Sequence, residues 1–202
     1  MAEGYTVGLA ILDFIPNIAF LIGAIYLVRI AVMVKGTACS RVVMAGSLLI
    51  ALGGMLKASW KLIYASGGPN VRLMSDIQFI LVAPGFLALL VAAIWLARSK
   101  NAGRSLPMMA IAAWKIPFLF VMTLTSLGAQ GILAYICFRR KAPLAAAGFI
   151  VAFLGLLAMG GMASAPQTVT MQWVEESINS VGQIGFMLGS ILLHKNYKAS
   201  GC

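Results

Sequence analysis

Six apolar runs, each long enough to cross a membrane as a helix, constrain the fold of this chain more than any other feature. The hydrocarbon core of a bilayer takes about 20 helical residues, and the connections between the runs are short. Hydrophobic residues make up 61% of the chain, against about 45–50% in soluble domains. We therefore predict an all-α, polytopic integral membrane protein whose single membrane domain covers residues 1–202. The six predicted transmembrane helices are residues 8–34, 42–66, 76–97, 107–138, 143–164 and 174–193.

The two halves of the chain resemble each other at a constant offset of 101 residues, from Ile15 to Ile116. This spacing predicts two three-helix repeats, about residues 8–98 and about residues 107–198. Duplicated membrane units generally bind their ligand between the copies, so a site is expected there. The matching segments are Ile15-Pro16 with Ile116-Pro117, residues 50–56 with 151–157, and Ile77-Gln78 with Ile178-Asn179.

The net charge of +10 does not indicate nucleic-acid binding, because the basic residues flank the apolar runs. Basic residues in those places bind anionic headgroups and orient helices. The predicted partner is therefore the lipid bilayer of a plasma or inner membrane. Glycine-rich helix faces, such as the one that carries Gly182, Gly185 and Gly189, are a further surface for a homo-oligomer or a membrane-protein partner.

The flanking charges predict two conflicting orientations. With six crossings, the basic residues after the first and third helices lie on one face, and those after the fourth and sixth lie on the other. Either the repeats are inverted, or an extra crossing near residues 104–114 makes the halves parallel. That stretch is too short for a spanning helix at about 1.5 Å per residue. We therefore favour an inverted repeat, with the N-terminus outside because the first helix usually sets the orientation.

Polar side chains inside the spans predict the candidate site, since an unpaired polar group is costly in a bilayer. Glu176, Asn179 and Gln183 share one side of the sixth predicted helix, and Gln78 is the counterpart of Asn179 in the third. The alternative is a packing seam in which amides hydrogen-bond across a glycine track. The predicted substrate-binding residues are Asn17, Gln78, Gln130, Glu176, Asn179 and Gln183.

Acidic and lysine side chains near the helix ends predict intramembrane ion pairs, with one cluster on each face of the membrane. Pairing lowers the cost of burying each charge. Lys61, beside Trp60 and Tyr64, is expected instead to reach the headgroups. The expected partners are Asp13, Lys57 and Asp76 on one face, and Lys115, Glu175 and Glu176 on the other.

The sequence contains no catalytic constellation. The single histidine, His194, ends the last apolar run, so neither a Ser-His-Asp nor a Cys-His set can form within the spans. The same shortage argues against haem, chlorophyll and zinc sites with histidine ligands. No glycine-rich phosphate loop opens a helix. We therefore expect no enzyme, no metal and no cofactor.

The three-helix unit, with Pro16-Asn17 in its first helix, resembles the triple-helix repeats of small sugar and vitamin transporters. Those transporters have an extra helix that links the repeats and a Pro-Gln pair within a helix. The chain departs from that pattern, because we predict no linking helix and because its Pro166-Gln167 pair falls in a connection. The resemblance implies a transport function that is built on two copies of one unit.

We expect a small permease or carrier for a polar or zwitterionic solute, bound between the two repeats. Amides and hydroxyls suit such a solute, and the lack of a deep carboxylate argues against a cation-selective pump. The alternative is a non-catalytic membrane subunit or scaffold of a larger complex, in which the glycine tracks and the amides serve helix packing.

Overall fold

The computed structural model describes residues 6–98, 116–162 and 168–201, with side chains described from residue 121 onwards in the second range. The described chain is 91% helix and contains no strand, which confirms the all-α prediction. Its helices are α1 Val7–Leu12, α2 Phe14–Lys35, α3 Thr37–Ala65, α4 Arg72–Ala97, α5 Ile116–Arg139, α6 Pro143–Met162 and α7 Val169–Ala199.

Five segments of the described chain are long and apolar enough to cross a membrane, as a multi-pass protein requires. α7 has the length, 31 residues, but it is more polar. Its outward face exposes Val181, Ile184 and Leu188, whereas its inward face buries polar side chains such as Glu176. This distribution is the reverse of a helix in a soluble protein and indicates lipid on the outside. The five segments are Val7–Lys35, Thr37–Ala65, Arg72–Ala97, Val121–Arg139 and Pro143–Met162.

The first predicted helix is divided at Asp13, between α1 and α2. Pro16 has no N–H to donate within the helix, and Asn17 Nδ2 donates to the carbonyl oxygen of Asp13 at 2.8 Å. The other boundaries differ most where polar residues extend an apolar run. α4 begins four residues before Asp76, and α7 begins at Val169, five residues before the predicted start.

Helices α2 and α7 run in the same direction. Phe20 stacks on Phe186 with 5.3 Å between the ring centroids. Further along both helices, the rings of Tyr26 and His194 are also 5.3 Å apart. Since the contacts advance together along the two sequences, the helices are parallel. The predicted inverted orientation is therefore wrong, because six crossings would make the first and last helices antiparallel.

Helices α4 and α5 end at the same end of the bundle as α2 and α7. Lys35, the last residue of α2, donates a hydrogen bond to the carbonyl oxygen of Arg98, which follows α4. Arg140, which follows α5, donates to Asn196 Oδ1 near the end of α7 at 3.1 Å. Consecutive helices α4 and α5 are therefore parallel, and residues 99–115, which join them, lie outside the described chain.

The two ends of the bundle carry opposite charge. We call the end of the bundle where α1, α4 and α7 begin the acidic end. The opposite end, where α4 and α7 finish, is the basic end. With both halves running the same way, the flanking charges no longer conflict. The acidic end carries every acidic residue of the described chain, Asp13, Asp76, Glu175 and Glu176, together with Lys57, Lys61 and Arg72. The basic end carries Arg29, Lys35, Arg41, Arg98, Arg139, Arg140, Lys141, Lys195 and Lys198.

We expect Arg98 and Arg139 to be accessible from the same side of the membrane, because α4 and α5 both end there. Single cysteines at these positions in a cysteine-free chain, treated with an impermeant maleimide in sealed vesicles, should label together. A cysteine in place of Arg72, exposed at the acidic end, should label only from the other side. Labelling of positions 98 and 139 from opposite sides would contradict the parallel directions.

The six long helices form a ring in which each packs on the next in chain order, and α7 closes the ring on α2. Glycine permits the closest approaches in two of these interfaces. A Cβ on Gly46 of α3 would lie 2.8 Å from the carbonyl oxygen of Gly85 on α4. A Cβ on Gly148 of α6 would lie 2.6 Å from the carbonyl oxygen of Gly185 on α7. Only a residue without a side chain allows such contacts between backbones.

Candidate functional site

A buried ionic cluster of Asp13, Lys61 and Glu176 joins the two halves of the chain near the acidic end. Lys61 Nζ lies 2.9 Å from Asp13 Oδ2 and donates a hydrogen bond to Glu176 Oε1. The exposed fractions are 2% for Asp13, 5% for Lys61 and 4% for Glu176. Taking each of these ions out of water costs several kcal/mol, which the pairing offsets.

The three residues of the cluster lie further into the bundle than the helix ends at the acidic end. Asp13 lies at the break between α1 and α2, and Lys61 lies four residues before the end of α3. Glu176 is seven residues beyond the start of α7, which places it about 10 Å along that helix at 1.5 Å per residue. The cluster is therefore inside the helix bundle, where ionisable groups of membrane proteins generally serve function.

Two predictions about these charges are wrong. Lys61 does not reach the headgroups, because α1 and α7 cover it; Trp60 and Tyr64 instead stack on each other at 6.1 Å. Glu176 does not lie on the opposite face from Asp13, because α2 and α7 are parallel. Lys115, the partner expected for Glu176, lies outside the described residues.

A second lysine and the proximity of the two carboxyl groups complete the electrostatics of the cluster. Half-buried Lys57, one turn before Lys61, attracts both carboxylates. In the described chain Lys57 forms no ion pair with Asp13 or Glu176. Asp13 Oδ2 and Glu176 Oε1 both contact Lys61 Nζ, which brings the two carboxyl groups close to each other. A hydrogen bond between two carboxyl groups requires a proton on one of them.

A stripe of buried polar atoms continues from the cluster along the inward face of α7. Each of its five side chains has a buried oxygen that no donor of the described chain satisfies. Buried polar groups are nearly always hydrogen-bonded, so five on one helix face require an explanation. We call this set the α7 stripe; it consists of Gln172, Glu176, Ser180, Gln183 and Ser190.

A small cavity lies at the centre of the ring. Its walls come from α2, α3, α4, α5 and α7, and Gln130 of α5 is the polar residue among apolar ones such as Phe86 and Phe186. The Oε1 atom of Gln130 is buried and has no donor among the described residues. At about 10 Å³ the cavity has room for about one water molecule. The ring is therefore closed around Gln130 in this conformation.

The predicted substrate-binding residues do not converge on one surface. Gln130 lines the central cavity, whereas Glu176 belongs to the ionic cluster and Gln183 to the α7 stripe. Asn17 hydrogen-bonds the break before α2, and its Oδ1 lies against Gly54 of α3. Gln78 and Asn179 are both half-buried, Gln78 on α4 and Asn179 on α7.

Of the residues predicted to form ion pairs, the structure brings both Asp13 and Glu176 to a lysine, and for Asp13 that lysine is Lys61 rather than Lys57. Asp76 is exposed on α4, and Glu175 is half-buried beside Glu176 on α7. Sequence reasoning missed Lys61 as a cluster member and Gln172 and Ser180 as members of the α7 stripe. The signal was present in the sequence, since residues 172, 176, 180 and 183 recur at helical spacing.

The described residues of this arrangement offer acid–base and binding chemistry. In the described part of the chain, no group of three or more histidine, cysteine, aspartate or glutamate side chains is placed to hold a metal ion. Lysine and two carboxylates offer opposite charges within one small volume, and the α7 stripe adds hydrogen-bond acceptors. Searches among protein-family models, curated proteins and solved structures give no match to this chain.

Proposed function

We propose that the protein is a small membrane carrier for a polar or zwitterionic solute that binds inside the helix ring. The observation that supports this proposal is the α7 stripe, whose buried oxygens have no donor among the residues that the structure describes. Unsatisfied polar groups in a bilayer cost several kcal/mol each. A solute with hydroxyl or ammonium donors would satisfy them as it passes along the inner face of α7.

The ionic cluster suits a zwitterion better than a simple ion. An ammonium group would be attracted by Asp13 and Glu176, and a carboxylate by Lys57 and Lys61. Exchange of one partner for a solute group of the same sign keeps each buried charge paired. A carrier of this kind carries out no covalent chemistry.

We also propose that the carrier consists of two copies of one three-helix unit that run in the same direction. Parallel repeats of this type are related by an axis along the membrane normal. Equivalent close approaches support the proposal. Gly46 meets the Gly85 carbonyl as Gly148 meets the Gly185 carbonyl, and the residue numbers differ by 102 on α3 and α6 and by 100 on α4 and α7. The solute would then bind between the copies, beside Gln130.

The charge of the two ends supports one orientation for this carrier. Cytoplasmic connections are enriched in lysine and arginine, and nine basic residues of the described chain lie at the basic end. We therefore propose that the basic end faces the cytoplasm and the acidic end faces outwards. Thr6, which precedes α1, would then lie outside.

Uptake into proteoliposomes tests the carrier proposal. The purified protein should take up a radiolabelled zwitterionic amino acid, or a neutral sugar from the same panel, faster than empty liposomes do. Replacing Gln130 with leucine should lower the uptake of the accepted solute about tenfold, because about 1.4 kcal/mol of hydrogen bonding to the solute is lost.

The matched control for this variant is Thr125→Val, on the same helix. The Thr125 hydroxyl donates to the Val121 carbonyl oxygen of its own helix at 2.6 Å, and the residue does not line the cavity. Its uptake should equal that of the wild type. No uptake of any zwitterion or sugar above the empty liposomes would refute the carrier.

The second candidate function is a non-catalytic subunit or scaffold of a larger membrane complex. An outward groove of about 360 Å³ between α6 and α7 favours it. Gly155 and Gly182 form its floor, which allows close approach of a partner helix. This function predicts a membrane protein that co-purifies at fixed stoichiometry and is lost when Gly182 is replaced with leucine. The groove is lined by Val151, Leu154, Gly155, Ala158, Ser177, Ile178, Val181 and Gly182.

A further inference from the structure

The three groups in direct contact in the buried cluster, Asp13, Lys61 and Glu176, do not balance in charge when all of them are ionised. Asp13 and Glu176 would carry two negative charges, and Lys61, the cation in direct contact with them, carries one positive charge. A residual negative charge inside an apolar bundle costs several kcal/mol. Lys57 supplies a second positive charge that attracts both carboxylates, but the described chain shows no ion pair between it and either of them.

One oxygen of the cluster also has no hydrogen-bond donor among the described residues, and a proton bound to the carboxyl pair would supply one. Glu176 Oε1 accepts from Lys61, whereas Glu176 Oε2 is buried and has no hydrogen-bond partner among the described residues. The Asp13 carboxyl group contacts the same Lys61 Nζ as Glu176 does, so the two carboxyl groups lie close together. One proton on the pair makes a donor of one carboxyl group and an acceptor of the other, and it brings the charge of Asp13, Lys61 and Glu176 to zero.

We propose that Asp13 and Glu176 together hold one exchangeable proton and that this proton is the coupling ion of the carrier. The inference rests on the proposed function for its coupling role. Release breaks the O–H bond of the shared proton, leaves both electrons on a carboxylate oxygen and passes the proton to water. Rebinding reverses the step, so one proton crosses for each cycle in which the cluster faces both sides in turn.

The groups that act on the shared proton come from three parts of the bundle. The break between α1 and α2 supplies Asp13, α3 supplies Lys57 and Lys61, and α7 supplies Glu176. Glu175 follows the same helix but is only half-buried. Displacement of Lys61 towards a solute carboxylate would remove the direct counter-charge and so favour a second proton on the pair. Solute binding and proton binding would thereby reinforce each other.

Infrared spectroscopy of the full-length protein in lipid nanodiscs tests this inference without any transported solute. The chain has five acidic side chains, Glu3, Asp13, Asp76, Glu175 and Glu176. In the variant E3Q/D76N/E175Q the cluster retains the only side-chain carboxyl groups and is itself unchanged. We expect one carbonyl stretch of a protonated carboxyl group at neutral pH, which shifts in D₂O and disappears only in alkali.

Two further variants assign the band. Glu176→Gln or Asp13→Asn, each in the variant background, should abolish the neutral-pH band, since a single carboxylate beside Lys61 is fully paired. A spectrum of E3Q/D76N/E175Q without a protonated carboxyl band at neutral pH overturns the proposal. The spectrum is independent of transport. A band without uptake would support the proton site and refute the carrier. Uptake without a band would support the carrier and refute the proton site.

Discussion

Replacing Lys61 with methionine is expected to destabilise the protein by about 3–5 kcal/mol, because the change removes the cation that contacts the buried carboxyl groups of Asp13 and Glu176. Methionine nearly matches the length of the lysine side chain, so lost packing contributes little. Asp13 and Glu176 are both nine-tenths or more buried and cannot regain water without opening the bundle. Thermal unfolding in mild detergent, followed by circular dichroism, would show a lower apparent Tm.

Two comparisons separate charge from packing in this prediction. Arg72→Met removes a cation that is exposed at the same end and should change stability by less than about 0.5 kcal/mol. The triple variant D13N/K61M/E176Q has no charge left in the cluster and should recover most of the wild-type stability, as neutral replacements of buried ion pairs generally do. Wild-type stability in K61M, or no recovery in the triple variant, would mean that the cluster is not a buried ion pair network.

Replacing Gly148 with leucine is expected to destabilise the α6–α7 interface by about 3 kcal/mol, at the upper end of the cost of overpacking. A Cβ at this position would lie 2.6 Å from the Gly185 carbonyl oxygen and 2.7 Å from the Gly189 amide nitrogen. Both are backbone atoms, so no rotamer change relieves the contact and α6 must move away from α7. The gain in helix propensity, about 1 kcal/mol, offsets only part of the loss.

Gly131 provides the matched control for this second prediction. It lies on exposed helix surface, and a Cβ there would meet nothing within 4 Å. Gly131→Leu should therefore leave the apparent Tm unchanged or raise it, because only the propensity term acts. Equal effects at positions 131 and 148 would show that the two helices do not pack as closely as the structure has them.

The sequence was sufficient to predict the helices, since an apolar run of about 20 residues has few alternatives to a membrane-spanning helix. It was not sufficient for their directions. The distribution of basic residues indicated parallel halves, but the length of residues 104–114 argued against an extra spanning helix. Residues 99–115, which join α4 to α5, lie outside the described chain.

The sequence was sufficient to predict several residues of the candidate site, but not which of them lie together. Polar spacing on the last helix identified Glu176 and Gln183, and both lie on the inward face of α7. The approach of Glu176 to Asp13 and Lys61 was not predictable, because it depends on which helix ends share a side of the membrane. Once α2 and α7 are parallel, the two acids meet at one end, and Lys61, near the end of α3, lies between them.

The separation of charge between the two ends has a consequence for biogenesis. On the proposed orientation, each connection at the basic end carries basic residues that keep it in the cytoplasm during membrane insertion. These residues are Lys35 and Arg41, then Arg139–Lys141, and then Lys195. No single signal decides the outcome, since the others specify the same orientation. A nascent chain that lost one of these signals would still be inserted correctly. On this orientation, the topology depends on the sum of the signals rather than on any one connection.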